Sequence, residues 1–395
     1  MNHDVIVIGA RCAGSPTAML LARAGHKVLC VDSGTFPSDT LSTHLIHPPG
    51  VAALAKWGLL DRLLATGCPP IDTYAFDFGP FALSGRPGTA EFPLAYAPRR
   101  TTLDKLLVDA AVEAGVEVRE SYTVERLIVD NGRVTGVQGN AGSEHARFVV
   151  GADGRQSLVA RTVVPEQYHQ RPPLCCAYYS YWSGLPMDGR SEFYVRPERA
   201  FAAWPTQDDL TLVIGGWPFA QLADHKSDIE GTLMKAFELA PPFAERIRAA
   251  KRETRFMGAA VPNYFRKPYG PGWALVGDAG YNKDFITAQG IQDAFRDAEL
   301  CATALDDTFS GRASFDDAMA RYQRTRDAAL PMYEFTCEFA MLAPPPPALQ
   351  QVLLAMRGNQ AAMDGFARVN AGVESPAEFF SERNVTQILA HAAAS

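Results

Sequence analysis

The fold is decided by residues 4–32, which read DVIVIGARCAGSPTAMLLARAGHKVLCVD. The β-branched run at residues 4–8 predicts a strand, and the apolar spacing over residues 15–24 predicts a helix. A second apolar run at residues 28–32 ends at an acid. Glycines bound the turn between the first strand and the helix, so this stretch predicts a strand–turn–helix–strand unit.

The spacing of this unit is typical of a nucleotide-binding turn. Gly9 allows a tight turn out of the strand, and Gly14 lets the helix pack close to the sheet, with the helix N-terminus facing a pyrophosphate. Asp32 follows Gly14 by 18 residues and is placed to accept the hydroxyls of an adenosine ribose. Arg11 replaces the usual middle glycine, so its side chain points away from the phosphates or approaches them as a cation. The alternative is a plain βαβ unit without a nucleotide.

Length and composition limit the class of protein. The chain has 395 residues, a net charge of −7 and 47% hydrophobic residues, enough for two cores or one subdivided core. The acidic balance argues against a nucleic-acid partner and an anionic membrane surface. No apolar run reaches the roughly 18 residues of a membrane span. The first strand begins by residue 4, which predicts a protein without a secretory signal, in the cytoplasm.

The cysteines and histidines give no metal signature. The seven cysteines are an odd number, without a CxxC pair and without zinc spacing. We expect reduced, mostly buried thiols and no metal site.

The remaining pattern alternates between helical and strand-rich segments. We expect helices over residues 49–65, 101–114 and 291–330, and antiparallel strands over 71–97. A hairpin over 122–137 turns at Asn131-Gly132, and residues 173–256 are strand-rich with one helix near 228–239. The segment after Pro344–Pro347 is helical.

Three separated motifs agree with one another. They are the glycine turn at 9–14, Gly151-Ala152-Asp153-Gly154, and Gly277-Asp278-Ala279 followed by Ala288-Gln289-Gly290. In this order they resemble the single-component, FAD-dependent aromatic hydroxylases of the para-hydroxybenzoate hydroxylase fold. Geranylgeranyl reductases and flavin-dependent halogenases share this ground plan. The resemblance covers roughly residues 1–330.

The resemblance implies an α/β fold. A Rossmann-like FAD-binding domain (1–70, 98–163 and 256–330) is interrupted by a mostly antiparallel β-sheet substrate domain (71–97 and 164–255). Residues 331–395 form a helical C-terminal segment.

The resemblance also implies the chemistry. FAD is tightly and non-covalently bound, NADH or NADPH is a transient donor, and a flavin hydroperoxide hydroxylates an aromatic or polycyclic small molecule with O2. No second dinucleotide fingerprint is found in the sequence, so the donor binds transiently in a cleft. The protein is a monomer or a homodimer.

The predicted cofactor-binding residues belong to these motifs. They are Gly9, Ala13, Gly14, Asp32, Ser33, Arg100, Asp153, Asp278, Ala288, Gln289, Gly290 and Ile291. By resemblance Arg100 faces the FAD phosphates or ribityl chain, and Asp153 with Arg161 serves the pyrophosphate side and the passing donor. The alternatives are an Arg100 that caps an exposed helix and an Asp153 that suits a turn. Asp278 is placed to accept hydrogen bonds from the ribityl chain, and a helix N-terminus after Ala288 faces the flavin pyrimidine ring.

The sequence says less about the substrate-binding residues, and it assigns no catalytic acid or base. In the strand from Cys175 to Trp182, Tyr179 and Tyr181 share one face, which is expected to cover flavin and substrate. Both can instead be core residues, as can Phe201 and Trp204 on the next strand region.

Three loop residues complete the candidates. His44 and His47 follow the ribose acid and can approach the flavin or act as a base, although a loop histidine is usually solvated. Phe285 stands where the family has a proline and alters the pocket beside the flavin.

Other functions remain open on the sequence alone. A flavin-dependent C=C reductase predicts a long apolar tunnel, but residues 36–44 lack the Cys-Gly element of those reductases. A halogenase is disfavoured because no Trp-x-Trp-x-Ile-Pro segment is present. A non-catalytic FAD-binding protein fits the cofactor motifs equally well, and flavin reduction by NADH or NADPH would separate it from an enzyme.

Overall fold

The computed structural model describes residues 3–394. The strands are β1 (His3–Ile8), β2 (Val28–Val31), β3 (Pro70–Ile71), β4 (Thr73–Asp77), β5 (Ala82–Gly85), β6 (Ala95–Tyr96), β7 (Glu117–Arg119), β8 (Val124–Asp130), β9 (Arg133–Gly139), β10 (Gly142–Gly151), β11 (Gln167–Arg171), β12 (Cys175–Ser183), β13 (Arg190–Arg196), β14 (Arg199–Pro205), β15 (Leu210–Pro218), β16 (Lys251–Arg252), β17 (Met257–Ala260), β18 (Asn263–Arg266), β19 (Tyr269–Gly270), β20 (Trp273–Leu275) and β21 (Tyr281–Asn282).

The helices connect and cover these strands. They are α1 (Gly14–Arg23), α2 (Pro48–Lys56), α3 (Leu60–Leu64), α4 (Arg100–Glu113), α5 (Leu158–Val163), α6 (Leu222–His225), α7 (Ile229–Phe237), α8 (Pro241–Ala249), α9 (Gly290–Phe309), α10 (Phe315–Asp327), α11 (Leu330–Ala340), α12 (Pro347–Ala355), α13 (Gln360–Asn370), α14 (Pro376–Phe379) and α15 (Glu382–Ala394). Short 3-10 turns occupy Phe219–Gln221, Gly277–Ala279 and Phe285–Thr287.

A mostly parallel sheet forms the first layer of the fold, with β19 antiparallel at one edge. Its strand order is β19-β20-β10-β1-β2-β7, and β1 pairs in parallel with both β10 and β2. Val5 and Val7 face the core shared with α1, α4 and α9, whereas Ile6 and Ile8 face the core beneath the β8–β9 hairpin. Because both faces of β1 are covered, its sequence is a continuous apolar run rather than an alternating one.

The turn after β1 tolerates only glycine at two positions. Gly9 has a φ of +99°, and a Cβ atom on it would lie 2.5 Å from the carbonyl oxygen of Ala152. A Cβ atom on Gly14 would lie 1.7 Å from the carbonyl oxygen of Gly9. The predicted close packing of helix on strand is therefore present, and it directs the N-terminus of α1 to the carboxyl edge of the sheet.

A second, mostly antiparallel sheet has the order β16-β12-β15-β14-β13-β4-β5, with β17 also paired to β12. One face packs on α7 and α8 through Phe201, Phe237 and Phe243. The opposite face carries Tyr179 and Trp204 and joins the apolar core of the C-terminal helices. The predicted fold class is confirmed; the exact domain boundaries remain a prediction.

The C-terminal helices cover this second sheet. Phe366 of α13 meets Phe76 of β4 edge-on, with ring centroids 4.9 Å apart. The sequence pattern predicted helices here but not what they cover, because an amphipathic helix does not specify its partner surface.

Two local predictions were wrong. The single helix over 49–65 is two helices, α2 and α3, separated at Gly58, whose φ is +74°. Residues 173–256 contain α6 and α8 as well as α7, and α8 begins with Pro241 in its first turn, where proline is tolerated. The antiparallel strands predicted over 71–97 are present, since β4 pairs antiparallel with β5 and β3 with β6, and β4 also pairs in parallel with β13.

Between residues 3 and 394, no helix combines the length and the apolar character that crossing a bilayer requires.

The Gly14 packing predicts the effect of one methyl group. Gly14→Ala forces α1 away from the sheet, so the free energy of unfolding in urea should fall by at least about 2 kcal/mol. Gly290→Ala is the matched control, because a Cβ atom on Gly290 meets nothing within 4 Å. Equal unfolding curves for the two flavin-free variants would contradict the packing argument.

Candidate functional site

A cavity of about 680 Å³ lies at the carboxyl edge of the parallel sheet. Its wall includes the ends of β1 and β2, the turn after β10 and the turn after β20. Loops at this edge are where open α/β sheets bind their ligands. Of the predicted cofactor-binding residues, those on the wall are Gly9, Ala13, Asp32, Ser33, Arg100, Asp153, Asp278, Ala288, Gly290 and Ile291.

The end of the cavity nearest α1 is suited to an anion. Arg11, Cys12 and Ala13 line it, and no side chain caps the N-terminus of α1. The free N–H groups of such a terminus attract phosphate oxygens. Gly14 does not line the cavity; its role is the packing that places this terminus.

Asp32 is held in place by the backbone. Its two carboxylate oxygens accept hydrogen bonds from the N–H groups of Ala10 at 2.7 Å and of Gly34 at 2.8 Å. Each oxygen has a second lone pair available for a ligand hydroxyl. Asp32 is therefore oriented before any ligand binds.

Two arginines share one buried carboxylate beside this cavity. Arg11 donates to Asp104 at 2.6 Å, and Arg100 makes two hydrogen bonds of 3.0 Å to the same carboxylate. Asp104 is fully buried and Arg100 is 8% exposed, so the alternative of an exposed helix cap is wrong. The group carries one net positive charge on the cavity wall, which favours an anionic ligand.

Asp153 presents an unsatisfied oxygen. Its Oδ2 atom accepts a hydrogen bond from the N–H of Leu158 at 2.6 Å, while the buried Oδ1 atom has no hydrogen-bond partner. Burial raises its pKa. A buried acceptor without a donor is costly, so a ligand that donates a hydrogen bond would fit here. Arg155 and Arg161 line the same end.

Asp278 is a second carboxyl group with a raised pKa on this wall. Burial raises its pKa to about 6, although Arg155 and Arg100 act in the opposite direction. It lies in the turn Gly277–Ala279 directly after β20 and lines the cavity. A polyhydroxyl chain would supply the donors that this carboxylate requires.

The far end of the cavity is the N-terminus of α9. Ala288 adopts a left-handed conformation, with φ of +53°, and leads into the first turn at Gly290. The Gln289 side chain is turned into the protein, where its amide donates to the carbonyl oxygen of Asn370 at 2.9 Å. It does not line the cavity, so any part that Gln289 plays there rests on its backbone.

Lys283 is a cavity residue that the sequence argument missed. Its buried ammonium group donates to Gln289 Oε1 and forms an ion pair of 2.9 Å with Asp293. Burial lowers its pKa. The only available signal was a lysine between two cofactor motifs.

A second cavity of about 450 Å³ adjoins the first. The two share Thr43, Ala177, Ile214 and Phe285, which together form the neck between them. The second cavity lies between the antiparallel sheet and the C-terminal segment. Its aromatic wall residues are Phe76, Phe78, Phe193, Tyr194, Phe201, Trp204, Phe285 and Phe339.

The predicted substrate residues divide between cavity and core. Tyr179 lines the first cavity, Phe285 lines both, and Trp204 lines the second. Phe201 borders the second cavity, but its ring packs with Phe237 and Phe243 on the other side of the sheet. Tyr181 lines neither cavity.

His44 lines neither cavity and stacks on Tyr181, with ring centroids 5.8 Å apart. Its Nε2 atom is hydrogen-bonded to the Tyr181 hydroxyl. Burial lowers the pKa of His44 to about 3, so the expectation of a solvated loop histidine is wrong.

His47 is a buried, neutral side chain that links β4 to the turn Phe285–Thr287. Its Nε2 atom lies 3.0 Å from the carbonyl oxygen of Thr287, so this nitrogen carries the proton, and Nδ1 accepts from the Tyr74 hydroxyl at 2.6 Å. Burial lowers its pKa to about 4. It fixes the loop that carries Phe285 and Thr287.

A thiol and a carboxyl group meet where the two cavities adjoin. Cys175 of the second cavity donates to Asp284 of the first at 3.2 Å. Burial raises the pKa of Asp284 to about 6. Sequence reasoning treated Cys175 as an inert hydrophobe and did not single out Asp284, because their pairing depends on residues distant in the chain.

Comparison with known proteins decides the family. The profile of the FAD binding domain family matches residues 2–209. The chain belongs to this family. It is thus a member of the FAD-dependent oxidoreductases, which confirms the resemblance and the class of enzyme predicted from the three motifs.

Curated relatives have several activities. Digeranylgeranylglycerophospholipid reductase 2 of Methanopyrus kandleri is 27% identical over 360 residues, 87% of this chain and 86% of the reductase. Tryptophan 2-halogenase of Chondromyces crocatus is 23% identical over 82% of this chain and 65% of the halogenase. Rifampicin monooxygenase of Rhodococcus hoagii is 28% identical over 40% of this chain and 33% of that enzyme.

Solved structures share the fold. The myxobacterial chondrochloren halogenase CndH has a TM-score of 0.80 and 24% identity, covering 99% of this chain and 96% of that chain. PqsL of Pseudomonas aeruginosa has a TM-score of 0.75 and 22% identity, covering 94% of this chain and 99% of that chain. At these identities the likeness establishes the architecture alone.

The raised pKa of Asp278 predicts a pH-dependent stability. Between pH about 4 and 6 the folded flavin-free protein binds more protons at Asp278 than the unfolded chain, so this carboxyl reduces stability as pH rises through that window. Because Asp278 borders the open cavity, we expect Asp278→Asn to stabilise the flavin-free protein by only about 1–2 kcal/mol at pH 8. Urea unfolding at pH 4 and pH 8 measures the difference.

The exposed carboxyl of Asp130 supplies the control for this series. Asp130→Asn should show no comparable pH-dependent gain. A gain from Asp278→Asn that is equal at pH 4 and pH 8 would contradict burial as its cause.

Proposed function

We propose that this protein is an FAD-dependent monooxygenase that uses NADH or NADPH and O2 to hydroxylate an aromatic or polycyclic small molecule. The observation that carries the proposal is the junction of two unlike cavities. One is long and lined by nucleotide-binding turns, and the other is apolar and aromatic. They meet at a neck of four residues, where a cofactor end and a substrate would come together.

The residues of the first cavity fit FAD along its length. The adenosine ribose would lie at Asp32, the pyrophosphate at the N-terminus of α1 and the ribityl chain at Asp278. The unpaired Asp153 oxygen and the raised pKa of Asp278 support this placement, because a ligand hydroxyl would pair the first and would stabilise the charged form of the second. When bound, FAD supplies electron transfer and the activation of O2.

The flavin end of this placement is the first turn of α9. A helix N-terminus stabilises negative charge by about 0.3–1 kcal/mol, and by more when partly buried. The buried Lys283 lies beside the same turn and adds a cationic donor, although Asp293 balances part of its charge. Together they favour the anionic state of a ring placed there.

A ring bound in the neck would exclude water from the reacting ends. Ala177, Ile214 and Phe285 are apolar, and Thr43 supplies the single hydroxyl side chain of the neck. A dry neck prevents the loss of reactive species to solvent.

NADH or NADPH would need a binding place other than the glycine turn after β1. Within residues 3–394 the parallel sheet carries one glycine turn of the dinucleotide type, and FAD would occupy it. Arg155 and Arg161 line the cavity near Asp153 and are suited to the phosphates of a transient NADH or NADPH.

A C=C reductase is the second candidate, because the Methanopyrus kandleri relative covers 87% of this chain. That relative's name specifies a prenylated phospholipid. The aromatic walls and limited volume of the second cavity suit a flat ring better than a prenylated phospholipid.

Labelled oxygen separates the two candidates. Purified holoenzyme is supplied with NADH or NADPH, isotopically labelled O2 and a panel of neutral phenols and polycyclic aromatics. A product that carries one labelled oxygen atom is expected, with faster anaerobic flavin reduction when substrate is present. A product heavier by two hydrogens without O2 would support the reductase, and a flavin that neither donor reduces would refute both.

Phe285 predicts how well donor oxidation is coupled to product. Phe285→Ala opens the neck to water while leaving the first cavity's polar residues intact. We expect retained FAD and flavin reduction, but at least about tenfold less product per donor oxidised, with hydrogen peroxide as the remainder. Phe219→Ala, a change at an exposed ring outside both cavities, should leave the product-to-donor ratio unchanged. An unchanged ratio in Phe285→Ala would contradict the role of the neck.

A further inference from the structure

The second cavity has no cation in its wall. Among the described residues that line it, none is lysine, arginine or histidine. Glu338 is its acidic residue and lies exposed at the rim. A carboxylate or phosphate brought into this cavity would lose its water without gaining a partner, which costs several kcal/mol.

Most polar groups of the wall are already paired. The Trp204 indole donates to the carbonyl oxygen of Thr43 at 3.1 Å, and the Tyr194 hydroxyl donates to Glu192 at 2.8 Å. The hydroxyls of Thr287 and Thr336 pair with each other at 3.0 Å. These groups therefore have little remaining capacity to bind a ligand.

Thr43 is different. Within residues 3–394 its hydroxyl makes no hydrogen bond, and its side chain is half-buried at the neck. Its neighbours there are Ala177, Ile214 and Phe285, none of which has a polar side chain. A ligand that fills the apolar cavity would meet this hydroxyl at the end nearest the flavin position.

From this geometry we infer that the second cavity takes a neutral ring compound without a carboxylate or phosphate, whose hydroxyl or carbonyl group is anchored by Thr43 at the neck. This inference rests on the proposed function, because it names the class of substrate that the second cavity would bind. It specifies both what the cavity excludes and which end of the substrate reaches the flavin.

Binding tests the charge argument without requiring turnover. Matched ligands, 2-naphthol and 6-hydroxy-2-naphthoate, are titrated into the holoenzyme, and the change in the flavin absorption spectrum gives each Kd. The naphthol should bind at least about tenfold more tightly, since an unpaired buried charge costs more than 1.4 kcal/mol. Equal binding, tighter binding of the naphthoate, or binding of neither ligand overturns the inference.

Two variants on α12 check that the cavity wall sets this preference. Leu349 lines the cavity and is half-buried, whereas Leu354 on the same helix is 50% exposed and lies outside it. Leu349→Arg should reduce the preference for naphthol over naphthoate at least about fivefold by pairing with the carboxylate. Leu354→Arg should leave the ratio unchanged. An equal response of the two variants overturns the assignment.

Thr43 is tested by a difference between ligands. Thr43→Val removes the hydroxyl at constant shape and should weaken 2-naphthol about fivefold while leaving naphthalene unchanged, and Thr43→Ser should retain the binding of both. Equal weakening of naphthol and naphthalene, or no weakening, overturns the anchor.

The two proposals fail separately. Tighter binding of the neutral ligand, without transfer of oxygen to it, would refute the monooxygenase but not the substrate class. Hydroxylation of carboxylate-bearing rings alone would refute the substrate class but not the monooxygenase.

Discussion

The close approach of α1 to the parallel sheet is the constraint on which the rest of the structure depends. Gly9 and Gly14 allow the helix to begin within contact distance of the strand, so that its N-terminus lies at the carboxyl edge of the sheet. The turn after β10 packs against Gly9 through Ala152, which places Asp153 on the same cavity wall. One backbone contact thus aligns two of the three cofactor motifs.

The cavity is built at the expense of stability. Asp153 and Asp278 are half-buried carboxyls with raised pKa values, and the Oδ1 atom of Asp153 has no partner in the protein. Such groups destabilise a folded chain unless a ligand supplies donors. Arg11 and Arg100, in contrast, are held by hydrogen bonds to Asp104, and Arg11 also by one to Ser38, so their charge is fixed in place. The site is therefore rigid where it holds charge and incomplete where a polyhydroxyl ligand would complete it.

Sequence reasoning predicted the first layer of the fold well, because strand, turn and helix in residues 4–32 are specified by local periodicity and glycine positions. It predicted α4, the β8–β9 hairpin and the strand before Asp278 for the same reason. It failed where local signals compete, as at Gly58, which divides one apolar pattern into two helices. It also missed α8, since Pro241 in a first turn resembles a break. Ten of the twelve predicted cofactor residues line the cavity; Gly14 and Gln289 instead serve packing.

The sequence by itself determined that the chain has a nucleotide-binding βαβ unit and three cofactor motifs, because these depend on residues close together in the chain. Only the tertiary structure decided what lies between them. The pairing of Cys175 with Asp284, the contact of His44 with Tyr181 and the neck at Thr43 and Phe285 join residues more than a hundred positions apart. The C-terminal wall of the apolar cavity is likewise set by packing. No local pattern encodes such contacts, since they arise when the second sheet and the C-terminal helices bury their apolar faces against each other.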